Sequence, residues 1–215
     1  MILLIDKPKG WTSADVVAVV KKTFHEKTGH GGTLDPNATG LLIVGTGADT
    51  KKLGEITKNT KKTYEAEIVL GATSDTDDVE GNITRFAKQD VKKPEREEII
   101  KILKTFEGEQ MQMPPQYSAI KIQGKKSYDL ARKGIEVKLE PRKINIYSIK
   151  LIDYKYPVLK IICEVSSGTY IRSLARDIGE KLSTGAYLNE LRRTRVGEYS
   201  VEKAVNLQEL RQVLK

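Results

Sequence analysis

The chain has 215 residues, 39% hydrophobic and 31% charged, with 37 Lys and Arg against 29 Asp and Glu and a formal net charge of +8 at pH 7. This composition describes a soluble globular protein that can bury a core without staples, and it excludes a disordered chain. No apolar run approaches the roughly 20 residues of a membrane-spanning helix, so no membrane association is expected.

Met1-Ile2-Leu3-Leu4-Ile5-Asp6 opens on a strand-like run with no basic, cleavable leader. A single cysteine, Cys163, forbids an internal disulfide and fits a reducing compartment, which leads us to expect a cytoplasmic protein. Two histidines and one cysteine cannot make a zinc site by themselves, so no metal is expected. The positive charge points to an anionic partner, nucleic acid foremost, against the plainer reading of a generic basic surface.

In chain order, Leu3 to Ile5 reads as a short buried strand. Ser13 to Phe24 reads as a helix with Val16, Val17, Val19 and Val20 at helical spacing behind a Thr-Ser cap. Thr28 to Gly40, rich in Gly, Thr, Pro and Asn, reads as a long and therefore functional loop. A strand over Leu41 to Val44 and a short helix over Asp49 to Thr57 follow. Thr63 to Leu70 alternates as a strand and ends at Gly71. Ala72 to Asn82 reads as an acidic loop. Pro94 to Phe106 reads as a helix, with Glu95, Glu97 and Glu98 at its start and Lys101 and Lys104 later, an order that suits the helix dipole. Ser127 to Lys133 reads as a short helix closed by Gly134. Ile144 to Ile152 and Val158 to Val165 read as paired strands. Tyr170 to Leu182, Leu188 to Arg193 and Leu207 to Leu214 read as helices. Strands and helices do not alternate strictly, so the expected class is α+β with a mainly antiparallel sheet in one domain.

Two stretches imitate known motifs. Gly45-Thr46-Gly47-Ala48-Asp49-Thr50 follows a strand like a dinucleotide fingerprint, but Thr50 stands where the third glycine belongs. Asp75-Thr76-Asp77-Asp78-Val79-Glu80-Gly81 resembles a calcium loop in charge only. The sharpest segment is Gly29-His30-Gly31-Gly32-Thr33-Leu34-Asp35-Pro36-Asn37-Ala38-Thr39-Gly40, where three glycines in four positions allow close approach to a ligand. Asp35 on that loop reads as a base or nucleophile, or as an Asp-Pro turn that caps its own backbone.

This segment resembles the catalytic loop of the TruB family of pseudouridine synthases, Gly-His-x-Gly-Thr-Leu-Asp-Pro. Four further stretches resemble that family in order: Lys7-Pro8-Lys9-Gly10-Trp11-Thr12-Ser13; Lys62-Thr63-Tyr64-Glu65-Ala66; Pro114 to Lys121 with Gly124, Tyr128, Ala131 and Arg132; and Ser167-Gly168-Thr169-Tyr170-Ile171-Arg172. Leu188 to Thr194 resembles its last motif. The resemblance implies the pseudouridine synthase fold, a thumb-like insertion at about residues 110–140, and isomerisation of a T-loop uridine of tRNA without a cofactor. It implies that Asp35 is the catalytic aspartate, that Arg172 salt-bridges it, and that Tyr64 stacks on the target base. A guanidinium suits the Arg172 role because it can hold a carboxylate by two parallel bonds. Asp35 then either attacks ribose C1′ or removes the C2′ proton.

Leu191 is expected to close an apolar pocket around the flipped base, and His30 to occupy the space the base vacates; His25 has no counterpart and reads as a surface residue. Lys62, Lys121, Lys125, Lys126, Arg132 and Arg192 are expected to grip phosphates of the T-arm. Arg192, Arg193 and Arg195 read as a second basic cluster beside the thumb. Family members usually carry a C-terminal PUA domain, and the chain stops at Lys215, which leads us to expect a catalytic domain alone. A monomer without a protein partner is the default expectation. The alternatives are a non-catalytic RNA-binding or folding factor, against which the Asp35, Tyr64 and Arg172 set argues, and a guide-RNA-dependent synthase.

Overall fold

A computed structural model describes residues 1–87, 92–117, 121, 122, 125, 126 and 139–212. β1 (Ile2–Lys7) leads to α1 (Ser13–Phe24), whose N-terminus is closed by a capping box. The Thr12 hydroxyl accepts from the Asp15 N–H, and the Asp15 carboxylate accepts from the Thr12 N–H. β2 (Thr28–Gly31) and β3 (Thr39–Thr46) follow, then a 3-10 turn over Gly47–Lys51, α2 (Leu53–Thr57) and β4 (Lys62–Leu70). β5 (Ala72–Ser74) pairs with β6 (Ile83–Arg85). α3 (Arg96–Lys104), β7 (Gly108–Gln112), β8 (Lys121–Ile122) and β9 (Lys125–Lys126) come next. The C-terminal third holds β10 (Arg142–Lys155), β11 (Val158–Val165), α4 (Ile171–Lys181), β12 (Ala186–Val196), β13 (Tyr199–Ser200) and α5 (Leu207–Gln212). Among the described residues no helix is long and apolar enough to cross a membrane.

The main sheet has the order β1-β3-β12-β4-β11-β10-β7, with β2 on β3 and β13 on β12. β1 and β2 run antiparallel to β3, and β12 runs parallel to it, so the sheet is mixed as the α+β expectation required. Several elements differ from expectation. Leu188 to Arg193 is strand, because the segment pairs with β3 through Arg192 opposite Thr39 and Arg193 opposite Gly40. The leucine spacing that suggested a helix is overridden by that pairing. Thr28–Gly31 is strand and not loop. A side chain at Gly31 would collide with Thr57. The acidic loop begins and ends in the short β5–β6 ladder. The helix expected over Ser127 to Lys133 lies outside the described residues.

The chain divides into two compact units. One comprises Met1–Glu65, Cys163–Ser167 and Glu190–Lys215; the other comprises Ala66–Ile162 and Gly168–Asn189. In the first, β3 is buried on both faces, which is why it reads as an uninterrupted apolar run. Leu42 and Val44 pack with Ile5, Val16, Val20, Leu207 and Leu210, while Leu41 and Ile43 pack with Leu53 and Val196. Cys163 is fully buried, and burial pushes its thiol up to about 12, so it is inert. In the second unit, α3 packs on β10 and α4, with Ile99 and Leu103 buried.

Gly40 is the tightest point of the β3–β12 contact. At φ +98°, a Cβ would overlap the Arg193 carbonyl. Gly40→Ala is therefore expected to lower stability by roughly 3 kcal/mol or more, read as a fall in the urea midpoint.

Candidate active site

Asp35 lies in a turn in which the Ala38 N–H donates to the Asp35 carbonyl (3.0 Å), with Pro36 and Asn37 at the corner. The Asp-Pro turn is real, and the structure adds what holds it. Ser13, buried at the start of α1, uses one hydroxyl twice: it accepts from the Leu34 N–H (3.0 Å) and donates to the Leu34 carbonyl (3.1 Å). On the other side of the aspartate, the Pro36 carbonyl accepts from the Gly10 N–H (2.9 Å) and from Lys7 Nζ (3.1 Å). Lys7 is 0% exposed and also donates to the carbonyls of Trp11 (2.6 Å) and Pro8 (3.1 Å). Residues 7–13 thus form a clasp that fixes both neighbours of the half-buried Asp35.

The same unit holds His30, Lys62, Tyr64, Leu191 and Arg192. His30 is half-buried on β2, and its Nδ1 is buried without a hydrogen-bond partner. Burial, then the Arg193 charge, lowers its pKa below the ordinary 6.5, so the ring is neutral at pH 7. Lys62 and Tyr64 are both buried and share one face of β4 by the strand's period of two. Lys62 Nζ donates to Ser167 Oγ (3.3 Å), and burial, helped by Arg193, lowers its pKa to about 8. The carbonyl of half-buried Leu191 accepts from Thr39 Oγ1 (3.4 Å). The expected arginine cluster divides into three roles. Arg192 holds Asp6 by two bonds of 3.0 and 2.7 Å, and that partner raises its pKa. Arg193, 1% exposed, donates to the carbonyls of Leu41 and Gly32, each at 2.8 Å. Arg195 is exposed.

Arg172 belongs to the other unit and begins α4. It meets Asp78 Oδ2 at 3.4 Å, the Thr76 carbonyl at 3.4 Å and the Tyr117 carbonyl at 3.0 Å. Asp78 is itself aimed, accepting from Thr76 Oγ1 (2.6 Å) and the Glu80 N–H (3.0 Å). One turn along, Arg176 holds Asp77 (2.8 Å) and Asp177 (2.9 Å). Burial pushes Asp77 up to about 6 against the opposing pull of Arg176 and Arg172. The acidic stretch is therefore a carboxylate platform for the two arginines of α4. Gln112, bonded both ways to Tyr170, and Ser173, which donates to the Met113 carbonyl (2.8 Å), anchor the start of the expected thumb.

Lys121 and Lys126 are opposite one another in the β8–β9 pair, with Lys125 opposite Ile122. Arg132 lies outside the described residues, as do Gly124, Tyr128 and Ala131. Among the described residues no group of three or more His, Cys, Asp and Glu could hold a metal ion.

The structure adds Lys7, Ser13, Ser167 and Asp78 to the surroundings of the expected site residues, and gives Arg193 a buried place that its reading as part of a basic cluster did not. Four of these stand inside the stretches that carry the family resemblance, which was the available signal; Asp78 stood in the discarded calcium-like segment. Two outcomes follow from the geometry. Ser13→Ala is expected to cost about 1–3 kcal/mol, because the buried Leu34 N–H loses its acceptor, and to lower turnover more than RNA binding, measured by denaturation and steady-state kinetics. A lysine in the unfolded chain titrates near 10.5 and Lys62 at about 8, so the unfolded state binds the extra proton across that window. Stability should therefore rise from pH 8 to 10.5 by more in the wild type than in Lys62→Met, read from melting temperatures.

Comparison with known proteins gives the family. The model of the TruB family pseudouridylate synthase N-terminal domain matches residues 21–171, and that of the tRNA pseudouridylate synthase B C-terminal domain matches residues 172–215. The tRNA pseudouridine synthase B of Clostridium tetani is 45% identical over 210 residues, covering 97% of this chain and 72% of that protein. The enzyme of the same name from Bacteroides fragilis is 46% identical, covering 95% and 90%. Among solved structures, a chain of a Cbf5-Nop10-Gar1 complex superposes with a TM-score of 0.75 at 32% identity, covering 96% of this chain and 52% of that one. With clasp, aspartate loop and arginine platform in place, and with relatives aligned across nearly its whole length, the chain belongs to the TruB family of pseudouridylate synthases.

Proposed function

We propose that this chain converts a T-loop uridine of tRNA to pseudouridine, with Asp35 as the catalytic residue at the ribose. The clasp on either side of Asp35 carries this reading. Fixing Leu34 through Ser13 and Pro36 through Lys7 and Gly10 is a costly way to build an ordinary turn and a direct way to aim a carboxylate. The isomerisation breaks the bond from C1′ to N1, turns the base and joins C5 to C1′. The proton lost from C5 balances the one gained at N1. Asp35 opens this sequence by attack on C1′ or by removal of the C2′ proton, and both routes need it ionised.

The remaining roles follow the family match and suit the chemistry of each side chain. Arg172 is the guanidinium partner of Asp35, and its own orientation by Asp78 supports that role. Tyr64 stacks on the target base and Leu191 closes the apolar pocket. A uridine inside a folded loop must be extruded to react. His30 fills the vacated space, for which a neutral imidazole is suited because it can lie against bases without a charge to desolvate. Lys62, Lys121, Lys125, Lys126, Arg132 and Arg192 contact the T-arm backbone. The protein works as a cytoplasmic monomer on tRNA, with no cofactor and no guide RNA.

The test is tritium release from 5-tritiated uridine in a T-arm hairpin supplied without any other RNA. Wild type should release tritium, and Asp35→Asn should abolish release while leaving hairpin affinity within about threefold. No release by folded wild-type protein, or equal release by Asp35→Asn, overturns the reading. Release only after a guide RNA is added would favour the guide-dependent alternative.

A further inference from the structure

Among the described residues most buried cations are compensated, and one pair stands apart. Lys7 has three carbonyl acceptors, Arg172 has Asp78, and Arg176 has Asp77 and Asp177. Lys62 and Arg193 face one another's charge instead. Lys62 is 9% exposed, and among the described residues its only acceptor is the Ser167 hydroxyl at 3.3 Å. Arg193 spends Nε and Nη2 on the carbonyls of Leu41 and Gly32, and among the described residues no carboxylate meets its guanidinium. An ammonium has three donors, and leaving two unmet in a buried site beside a second cation is costly.

Gly32 shows where these charges converge. It adopts φ +73°, and the point where a Cβ would stand is 3.4 Å from Arg193 Nη1 and 3.7 Å from Lys62 Nζ. The missing side chain leaves that point to whatever the two cations hold. An anion laid against the bare Gly32 backbone, with an oxygen standing clear of the Gly32 Cα and closer to the two nitrogens than that point, would accept a charge-assisted bond from each. The site lies three residues before Asp35. On β4 it lies two residues from Tyr64 on the same face, about 6.6 Å along the strand, the kind of distance that separates a nucleotide's base from its own phosphate.

We propose that Lys62, Arg193 Nη1 and the bare backbone at Gly32 form a seat for one phosphodiester of the bound RNA, at the linkage next to the flipped nucleotide. The seat rests on the pseudouridine synthase reading, and it gives Lys62 a specific partner where a general electrostatic grip would not. The cation is held in a poor environment in the free protein so that one RNA phosphate completes it. The seat fixes where the backbone enters relative to Asp35.

The test uses the full chain and T-arm hairpins that each carry a single uncharged methylphosphonate at a different linkage around the target uridine. Binding is read by fluorescence anisotropy, which needs no turnover, so failure of catalysis and failure of the seat are separable. One linkage adjacent to the target should weaken wild-type binding about tenfold while the others change little. Lys62→Met should bind the unmodified hairpin about tenfold more weakly, show a salt slope shallower by about 0.7, and be insensitive to methylphosphonate at that same linkage. Lys62→Arg should restore the sensitivity. Lys62→Met should also melt at or above the wild-type temperature, a result that a purely structural lysine would not give. Additive losses at that linkage, no sensitive linkage in the wild type, or a Lys62→Met protein that is unfolded would each overturn the proposal. If inorganic phosphate raises the wild-type melting temperature but not that of Lys62→Met, while no linkage matters, the seat takes a free anion and the assignment to RNA fails.

Discussion

The arrangement depends first on a buried ammonium. Lys7 sits at the end of β1 with no exposure and gives its donors to three carbonyls, one of them Pro36. Taking that charge out of water costs several kcal/mol, and only well-placed acceptors offset it. The chain on both sides must therefore take the path that supplies them. Residues 8–12 curl round the ammonium, which sets Ser13 at the start of α1, where its hydroxyl can reach Leu34. A neutral side chain at position 7 would leave those carbonyls to be satisfied separately, and the aspartate turn would lose one of its ties to the first strand. Packing of Ile5, Val16 and Leu42 then holds β1, α1 and β3 together, so the turn inherits the rigidity of the core.

A second constraint is steric. β12 comes close enough to β3 at Arg193 and Gly40 that no side chain fits at position 40. That closeness brings the Arg193 guanidinium to the carbonyls of Gly32 and Leu41, so it holds the start of the aspartate loop to β3. The Arg192 neighbour is turned to Asp6 on β1. Adjacent arginines on β12 thus reach different partners, Arg192 to β1 and Arg193 to β3 and Gly32, and their alternation follows from the pleat.

Much of the fold and most of the candidate site were legible because their signals are local. The capping box of α1, the alternation of β4 and the charge order of α3 each specify an element without help from the rest of the chain. What was not legible depends on pairing. Leu188 to Arg193 carries helix-compatible leucines and becomes strand only because β3 offers an edge at Thr39 and Gly40. Thr28–Gly31 looks like loop because two of its four residues are glycine. The second of them, Gly31, sits too close to Thr57 for a side chain, which sequence spacing does not reveal. The partners of Asp77 and Asp78 were hidden for a related reason. Arg176 and Arg172 are roughly a hundred positions away, and an acidic cluster viewed without its counter-charges resembles a cation site.

The net charge of +8 divides unevenly once the partners are known. Arg172 and Arg176 are tied to carboxylates and Lys7 to carbonyls. Charges already paired inside the protein contribute little to binding RNA, because any phosphate must compete with a partner that is better placed. The basic residues split into those that hold the site in shape and those left to meet the substrate. Position in sequence does not separate the two groups, since Arg192, Arg193 and Arg195 are near neighbours with three different environments. Burial and partner count do separate them. Lys62 belongs to neither group by these measures, being buried like the structural cations yet left with a single hydroxyl. A residue retained in that state imposes a standing cost on the free protein. Such a cost is sustained where binding removes it, and this ties the stability of the fold to its recognition of an anion at a single point.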